Sequence, residues 1–251
     1  MSYLRKNTSL TTRMKNYLQT LTILILVFTS GFVSSQSFIA AVSEFTPSDD
    51  CQLELIDGTI VDGKISMATI MNGNLSSLTL KDTSGIKHKH KAATIKRLRV
   101  KMGFLAKMDA SSEASSSIVQ SFKADYEEIN NREYIIYEQA LLPKKKDKYR
   151  LLQLVNPGFD SVLKIYNDPG ANETGGFGVG GVKITGGEDK SYLVVIREAK
   201  SIKVKKGNYK KDFAELYGDC PEMIKIAGSE KIKFKDFAGH VFAYDQLCGV
   251  K

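Results

Sequence analysis

Hydrophobic and polar residues alternate in the first part of the sequence, and this alternation predicts a small antiparallel β unit over residues 50–108. Leu53 and Leu55 alternate with polar neighbours, as side chains do when one face of a strand is buried and the other meets water. The dipeptide Asp57-Gly58 follows and predicts a two-residue hairpin turn, in which both central residues have φ > 0. Similar runs continue to residue 100, so we expect about four or five strands in a small sheet or barrel.

A second group of strand-like runs predicts another antiparallel β region over residues 122–206. Apolar and β-branched residues recur in short segments that polar or proline-containing turns separate. These segments are Glu133–Leu142, Arg150–Val155, Ser161–Tyr166 and Tyr192–Glu198. Between the two β regions, residues 109–121 are rich in Ser, Ala and acids, which is typical of a linker or an exposed loop.

The spacing of apolar residues becomes helical near the end of the chain and predicts a C-terminal helical pair over residues 207–251. The segment from Asp219 to Glu222 has a capping residue, a proline that the first turn tolerates and a glutamate at the capping-box position. The last helix has apolar residues three or four positions apart, which share one face. These residues are Phe237, Val241, Tyr244 and Cys248. We therefore expect an α+β fold of two antiparallel sheets followed by helices.

Residues 1–35 have the three parts of a secretory signal, namely a basic start, a short apolar centre and small residues at the end. The apolar centre runs from Leu21 to Phe28. An uncleaved membrane anchor is the alternative, since a span needs about 20 apolar residues. The run is short for a span and is interrupted by Thr and Ser, so we expect cleavage and a periplasmic or secreted protein.

The start and the end of the signal segment are each a separate prediction. The polar residues before Met14 are unusual ahead of a signal, and we expect translation to start at Met14. A signal peptidase needs small residues just before the cut. We expect the cut after Ser35, with cuts after Ala41 or Ser43 as alternatives.

The charge of the chain does not indicate a nucleic-acid partner. The formal net charge is +8, but four of the basic residues lie in the predicted signal segment, where there are no acids, and +4 remains without them. So small an excess bears mainly on solubility. Lysines do cluster from Lys144 to Lys148 and from Lys200 to Lys211, and we expect an anionic surface polymer or another envelope protein as the partner.

Three cysteines in an exported chain predict a disulfide. Cys220 begins one predicted helix and Cys248 ends the next, so antiparallel packing of the two helices would bring these residues together. Cys51 is then a free thiol. The alternative is that all three cysteines are buried and unpaired.

His88 and His90 lie on one face of a predicted strand and are the candidate metal ligands, with His240 as a candidate third. The competing interpretation is an exposed polar strand edge, because no Cys, Asp or Glu accompanies the pair at a recognisable ligand spacing. We therefore predict no metal. We also predict no catalytic residues, since no nucleophile elbow lies near a serine or cysteine.

Gly176, Gly178 and Gly181 match the G-x-G-x-x-G pattern of dinucleotide-binding loops. That loop needs a strand before it and a helix after it, whereas the residues that follow Gly181 are strand-like. We therefore expect a loop between strands and no nucleotide or other cofactor.

The C-terminal segment resembles the signature of uncharacterised exported proteins of the bacteroidete lineage. In that signature a helix precedes Asp-Cys-Pro, and a second cysteine closes the next helix. The matching residues are Asp219, Cys220, Pro221 and Cys248. The resemblance covers residues 209–248 and implies an envelope location, without implying an activity.

These observations together predict a non-enzymatic binding or interaction protein of the cell envelope. It would touch the membrane only through an uncleaved signal segment. A hydrolase acting on an envelope polymer and a carrier of a small lipid or metabolite are the alternatives. A deep pocket with convergent carboxylates or histidines would favour the hydrolase, whereas an exposed apolar patch would favour a binding role.

Overall fold

The computed structural model describes residues 37–39, 41, 45, 47–71, 74–103, 133–143, 148–171, 177–179, 182–185, 191–229 and 231–249. The chain divides into two units, residues 1–36 and residues 37–251, and all described residues belong to the second. The predicted signal segment 1–35 and the predicted linker 109–121 lie outside the described residues.

Seven strands form the first antiparallel sheet. Their bounds are β1 Asp50–Leu55, β2 Ile60–Met71, β3 Asn74–Lys81, β4 Lys87–Lys91, β5 Ile95–Lys101, β6 Tyr134–Leu141 and β7 Tyr149–Gln153. Their order in the sheet is β4-β3-β2-β1-β5-β6-β7. The sheet curls, because β3 and β7 come close to each other and Arg150 Nη1 lies 3.5 Å from Asn74 Oδ1. The predicted antiparallel strands of residues 50–108 are present, and the sheet continues into β6 and β7.

The hairpin between β1 and β2 forms at the predicted place, but the turn type is different. Only Gly58 of the central dipeptide has a positive φ, of 85°. The Oδ1 atom of Asp57 accepts a 2.9 Å hydrogen bond from the Thr59 amide, and Leu55 N donates to Thr59 O at 2.9 Å. The expectation of two left-handed residues was therefore wrong, because Asp57 forms this local bond with a negative φ and glycine alone takes the left-handed conformation.

One face of the first sheet is buried, whereas the other is polar over β1 to β5 and packs against the second sheet at β6 and β7, where Ala140 and Leu152 are buried. The alternation along each strand sends its apolar side chains to the same side, where they form the core. Fully or almost fully buried members are Leu53, Ile65, Leu78, Leu80, Ile95, Leu98, Val100 and Ile135. Burying each such side chain stabilises the fold by about 1.5–3 kcal/mol relative to leaving it exposed. The opposite face keeps the charged residues of the same strands.

The second part of the chain has a three-stranded antiparallel sheet and three helices. The strands are β8 Leu163–Asn167, β11 Tyr192–Ile196 and β12 Lys200–Val204, in the order β12-β11-β8, and a separate pair is β9 Phe177–Val179 with β10 Val182–Thr185. The helices are α1 Tyr209–Tyr217, α2 Pro221–Ser229 and α3 Phe237–Cys248. Gly176 and Gly181 lie outside the described residues, and the strand β10 follows them as predicted, but Gly178 lies in β9, where it pairs with Lys183, rather than in a loop.

An aromatic core lies between the second sheet and the helices. Tyr209 and Phe237 pack with ring centroids 4.9 Å apart, and Phe213 and Tyr217 pack with centroids 4.5 Å apart. Aromatic side chains bury large areas, so this cluster contributes strongly to the stability of the helical part. The predicted α+β fold, with antiparallel sheets and a C-terminal helical pair formed by α2 and α3, is confirmed.

A buried carboxylate joins the two sheets. Glu138 in β6 is only 6% exposed. Its Oε2 atom accepts hydrogen bonds of 3.1 Å from Lys164 Nζ and from the Tyr166 hydroxyl, both in β8. Its Oε1 atom accepts a 2.7 Å bond from Arg97 Nε in β5. Burial alone would raise the pKa of Glu138, but the charges of Lys164 and Arg97 outweigh burial and lower it.

Across the ranges of the chain that the structure describes, none of the helices combines the length and the apolar character that crossing a membrane requires.

Candidate functional site

An open groove lies on the polar face of the first sheet. Its cavity volume is about 640 Å³, within the range of roughly 300–1,000 Å³ that ligand sites occupy. Side chains from β1, β2, β3, β5 and β6 line it, together with the turn that connects β3 to β4. The groove is therefore built on a rigid sheet.

Residues that lie opposite each other on neighbouring strands form a row across the groove, which we call the lysine row. In the order β3, β2, β1, β5 and β6, the row consists of Lys81, Lys64, Asp50, Lys101 and Tyr134. Cys51 lies opposite Val100, and this register places Asp50 opposite Lys101. Because neighbouring strands are about 4.8 Å apart, Lys81 and Lys101 are separated by about 14 Å across the sheet.

Two carboxylates of the groove already have partners within it. Lys64 Nζ donates to Asp50 Oδ1 at 2.6 Å, and Gln52 Nε2 donates to Asp62 Oδ1 at 2.9 Å. The hydrogen bond and the charge of Lys64 lower the pKa of Asp50. Asp50 is therefore ionised at neutral pH, and it and Lys64 largely neutralise each other.

Three cations of the groove remain available. Lys81, Arg99 and Lys101 are exposed, and in the described part of the chain no carboxylate forms an ion pair with them. The Arg99 guanidinium lies over the ring of Tyr134, 4.6 Å from its centroid, and this cation–π contact orients it. The lining also holds Asp62, whose partner Gln52 is neutral, and Asp82, so four cations face three carboxylates and the groove has a small net positive charge.

The turn between β3 and β4 forms one wall of the groove, and His88 supports it. Asp82 Oδ1 accepts a 2.9 Å hydrogen bond from the Ile86 amide, and Asp82 Oδ2 lies 3.0 Å from His88 Nε2. The hydrogen bond with His88 is the main cause of the lowered pKa of Asp82. The candidate ligand His88 therefore holds a turn through its carboxylate partner.

The other histidines do not complete a metal site with His88. Burial and the nearby His88 lower the pKa of His90, which favours its neutral form. His240 lies in the helical core, where its Nδ1 atom is 2.6 Å from the Tyr209 hydroxyl. β4 is an edge strand of the sheet with exposed lysines, as the competing interpretation of a polar edge predicts.

Within the described ranges, the one triad whose ligand atoms converge is Cys220, Glu222 and Cys248. The sulfurs of Cys220 and Cys248 are 2.08 Å apart, so they form the predicted disulfide and are not free to bind a metal. The bond ties the start of α2 to the end of α3.

A polar latch that the sequence did not predict lies beside the disulfide. Arg197 and Glu198 have φ values of 46° and 60° in the turn between β11 and β12, a conformation that costs an L-residue about 1–2 kcal/mol. Arg197 Nη2 donates to Asp219 Oδ2 at 2.8 Å, and the Tyr244 hydroxyl donates to Asp219 Oδ1 at 2.5 Å. Asp219 thus connects the turn between β11 and β12 to α3, and we interpret this latch as a contribution to stability.

Cys51 lies at the base of the groove and is a free, buried cysteine, as predicted. Burial raises the pKa of its thiol to about 12, and the charges of Asp50, Asp49 and Asp62 add to the effect. The nucleophilic form of cysteine is the thiolate. Cys51 is therefore protonated at neutral pH and is not a nucleophile.

Of the lysines in the two clusters of the sequence, those that the structure describes do not line the groove. Residues 144–147 lie outside the described residues. Lys200 pairs with Glu215 at 2.7 Å, and Lys203 pairs with Asp168. The cations of the groove are instead isolated in sequence, and a strand alternation that puts Arg99 and Lys101 on one face was the only sequence signal for them.

The chemistry of the groove suits binding better than catalysis. General acid–base catalysis needs a group whose pKa lies near the working pH, whereas the pKa values of Asp50 and Asp82 are lowered. Cations beside paired carboxylates suit an anionic ligand. Comparison of the chain with protein-family models, curated proteins and solved structures gives no match.

Proposed function

We propose that the protein is an exported, non-enzymatic binding protein that holds an anionic polymer of the cell envelope in the groove of its first sheet. The observation behind this proposal is that Lys81, Arg99 and Lys101 are exposed in one groove without an ion pair to any described carboxylate. Clustered positive charge attracts anions without an enclosed pocket, and an open groove lets a long chain enter and leave at its ends. The hydrolase alternative lacks support from Asp50 and Asp82, because their hydrogen-bond partners lower the pKa of both carboxyl groups.

Two features support export. A disulfide between Cys220 and Cys248 suits an oxidising compartment outside the cytoplasm. The division of the chain between residues 36 and 37 lies one residue beyond the cut expected after Ser35. We therefore propose that the protein is periplasmic or secreted.

The packing of residues 37–39 favours the cut after Ser35 over the later cuts. The ring centroid of Phe38 is 5.0 Å from that of Tyr192 and 5.2 Å from that of Phe237. Ile39 N donates to Val155 O at 2.9 Å. A cut after residue 41 or 43 would remove both side chains from the aromatic core, so those positions are disfavoured.

The intact mass of the protein recovered from the envelope or medium of its host tests export and thiol chemistry together. We expect a chain that begins at Gln36 with one disulfide and one free thiol. Because burial keeps Cys51 protonated, we expect alkylation at pH 8 to label it only after unfolding. A full-length chain, or three thiols that react without reduction, would contradict the proposal.

Removal of the groove charges tests ligand binding. We expect the triple variant Lys81→Gln, Arg99→Gln, Lys101→Gln to bind polygalacturonate, a carboxylate polymer, about 10- to 100-fold more weakly than the unchanged protein. The estimate follows from about 0.5–1 kcal/mol for each exposed charged contact. Calorimetric titration at low salt measures the affinity, and neutral dextran shows whether charge is needed.

A matched control separates the groove from net charge. The variant Lys205→Gln, Lys210→Gln, Lys225→Gln removes the same charge from exposed sites on the helical part, and we expect its affinity to stay within about threefold of the unchanged protein, since these sites are far from ligand contact in the proposal. Equal losses in the two triple variants would show non-specific attraction. No binding by the unchanged protein to any acidic polymer would refute the proposal.

A further inference from the structure

We infer that the ligand is an extended acidic glycan that lies along the lysine row, across the strands, and is held at both ends of the row. This inference rests on the proposed function and adds the shape and the chemistry of the ligand. It is carried by the order of charges along the row, by the length of the row and by the polar groups at its ends.

The row carries positive charge at Lys81 and at Lys101 without an ion pair to a described carboxylate, and between these two residues Lys64 binds Asp50 at 2.6 Å. The backbone positions of Lys81 and Lys101 are about 14 Å apart, so an extended ligand contacts both lysines with less rearrangement of their side chains than one small anion does. The arrangement therefore favours an extended ligand that carries acidic groups along its length.

The two ends also differ in a way that suits a sugar chain. At one end Lys101 lies opposite Tyr134, whose ring is apolar and whose neighbour Arg99 supplies a second cation. At the other end Thr83 and Ser84 line the groove and are exposed. Hydroxyl groups can bond either to a sugar or to an inorganic polyanion, but only a sugar offers an apolar face to the Tyr134 ring, whose other face is covered by Arg99.

A length series tests this inference on the exported protein. Free galacturonic acid and oligogalacturonates of increasing length are titrated by calorimetry at the same carboxylate concentration. We expect affinity per carboxylate to rise by about 3- to 10-fold once the oligomer reaches both ends, because the second contact is then intramolecular and each exposed charged contact contributes about 0.5–1 kcal/mol. Equal affinity per carboxylate at all lengths would overturn the inference while the binding function stands.

Single substitutions locate the two ends. We expect Lys81→Gln or Lys101→Gln alone to remove most of the advantage of the long oligomer over the monomer. Lys96→Gln is the control, because Lys96 is exposed on β5 but binds Glu54 at 2.6 Å and does not line the groove. A loss with Lys96→Gln as large as with Lys81→Gln would overturn the inference.

Two further outcomes are distinguishable. If inorganic polyphosphate of matched length binds as tightly as the oligogalacturonate, the glycan assignment is overturned. If no anion of any length binds, the proposed function itself fails. Circular dichroism of each variant establishes that the sheet is folded. A loss of affinity then results from the loss of contacts between the substituted residue and the ligand.

Discussion

Replacement of Glu138 by alanine is expected to lower the free energy of unfolding by about 3 kcal/mol, since removal of one partner from a buried ion pair costs about 3–5 kcal/mol. We expect the lower end of that range because Arg97 is 41% exposed and water can partly solvate it. The substitution leaves Lys164 without its carboxylate and Tyr166 without its acceptor, at the junction of the two sheets. Urea unfolding followed by circular dichroism measures the change.

The control for this variant is Glu54→Ala. Glu54 binds Lys96, whose side chain is 62% exposed, and such surface pairs contribute about 1 kcal/mol or less. Acidification provides a second check. Because the folded pKa of Glu138 is lowered, its stabilisation is present above the usual glutamate range and is lost as pH falls through the folded value. Similar losses for the two variants at pH 7 would contradict the role of Glu138.

Removal of the disulfide by Cys220→Ser with Cys248→Ser is expected to lower the free energy of unfolding by about 3–4 kcal/mol, through the larger freedom of the unfolded chain. The two cysteines are 28 positions apart, so the bond closes a loop of moderate length. Urea unfolding with and without reductant measures the effect. Reductant should destabilise the protein without substitutions and should not change the stability of the double variant. If reductant leaves the free energy of unfolding of the protein without substitutions as it was, the prediction is contradicted.

Local patterns were sufficient to predict most of the strands, the helical segment and the disulfide, but they did not predict β9 or β12. Alternation put Leu53, Leu78 and Leu98 on buried faces because a strand has a period of two. The pairing of Cys220 with Cys248 could be predicted because both cysteines lie at helix ends that antiparallel packing brings together.

The groove could not be predicted in the same way, because it depends on which strands are neighbours. The sequence places Arg99 and Lys101 on one face of β5, but their position beside Asp50 arises from pairing between β1 and β5. Such long-range pairing depends on packing of the whole core and leaves no local pattern. The histidines were the more visible sequence feature, and His88 proved to hold the turn at the groove wall.

The turn at Arg197 and Glu198 shows a second limit of local patterns. Left-handed turns are normally marked by Gly, Asn or Asp, and this one has none in its central positions. The latch of Arg197 to Asp219, which Tyr244 also binds, offsets part of the cost of the unfavourable backbone. Contacts between distant segments therefore decided a conformation that the local sequence disfavours.

Amide chemical shifts of the protein during titration with oligogalacturonate show whether an acidic glycan binds along the lysine row. We expect shifts that cluster at Lys81, Lys64, Asp50, Lys101 and Tyr134 and saturate together. Shifts confined to Lys205, Lys210 and Lys225, or no shifts in the first sheet, would contradict binding along the row.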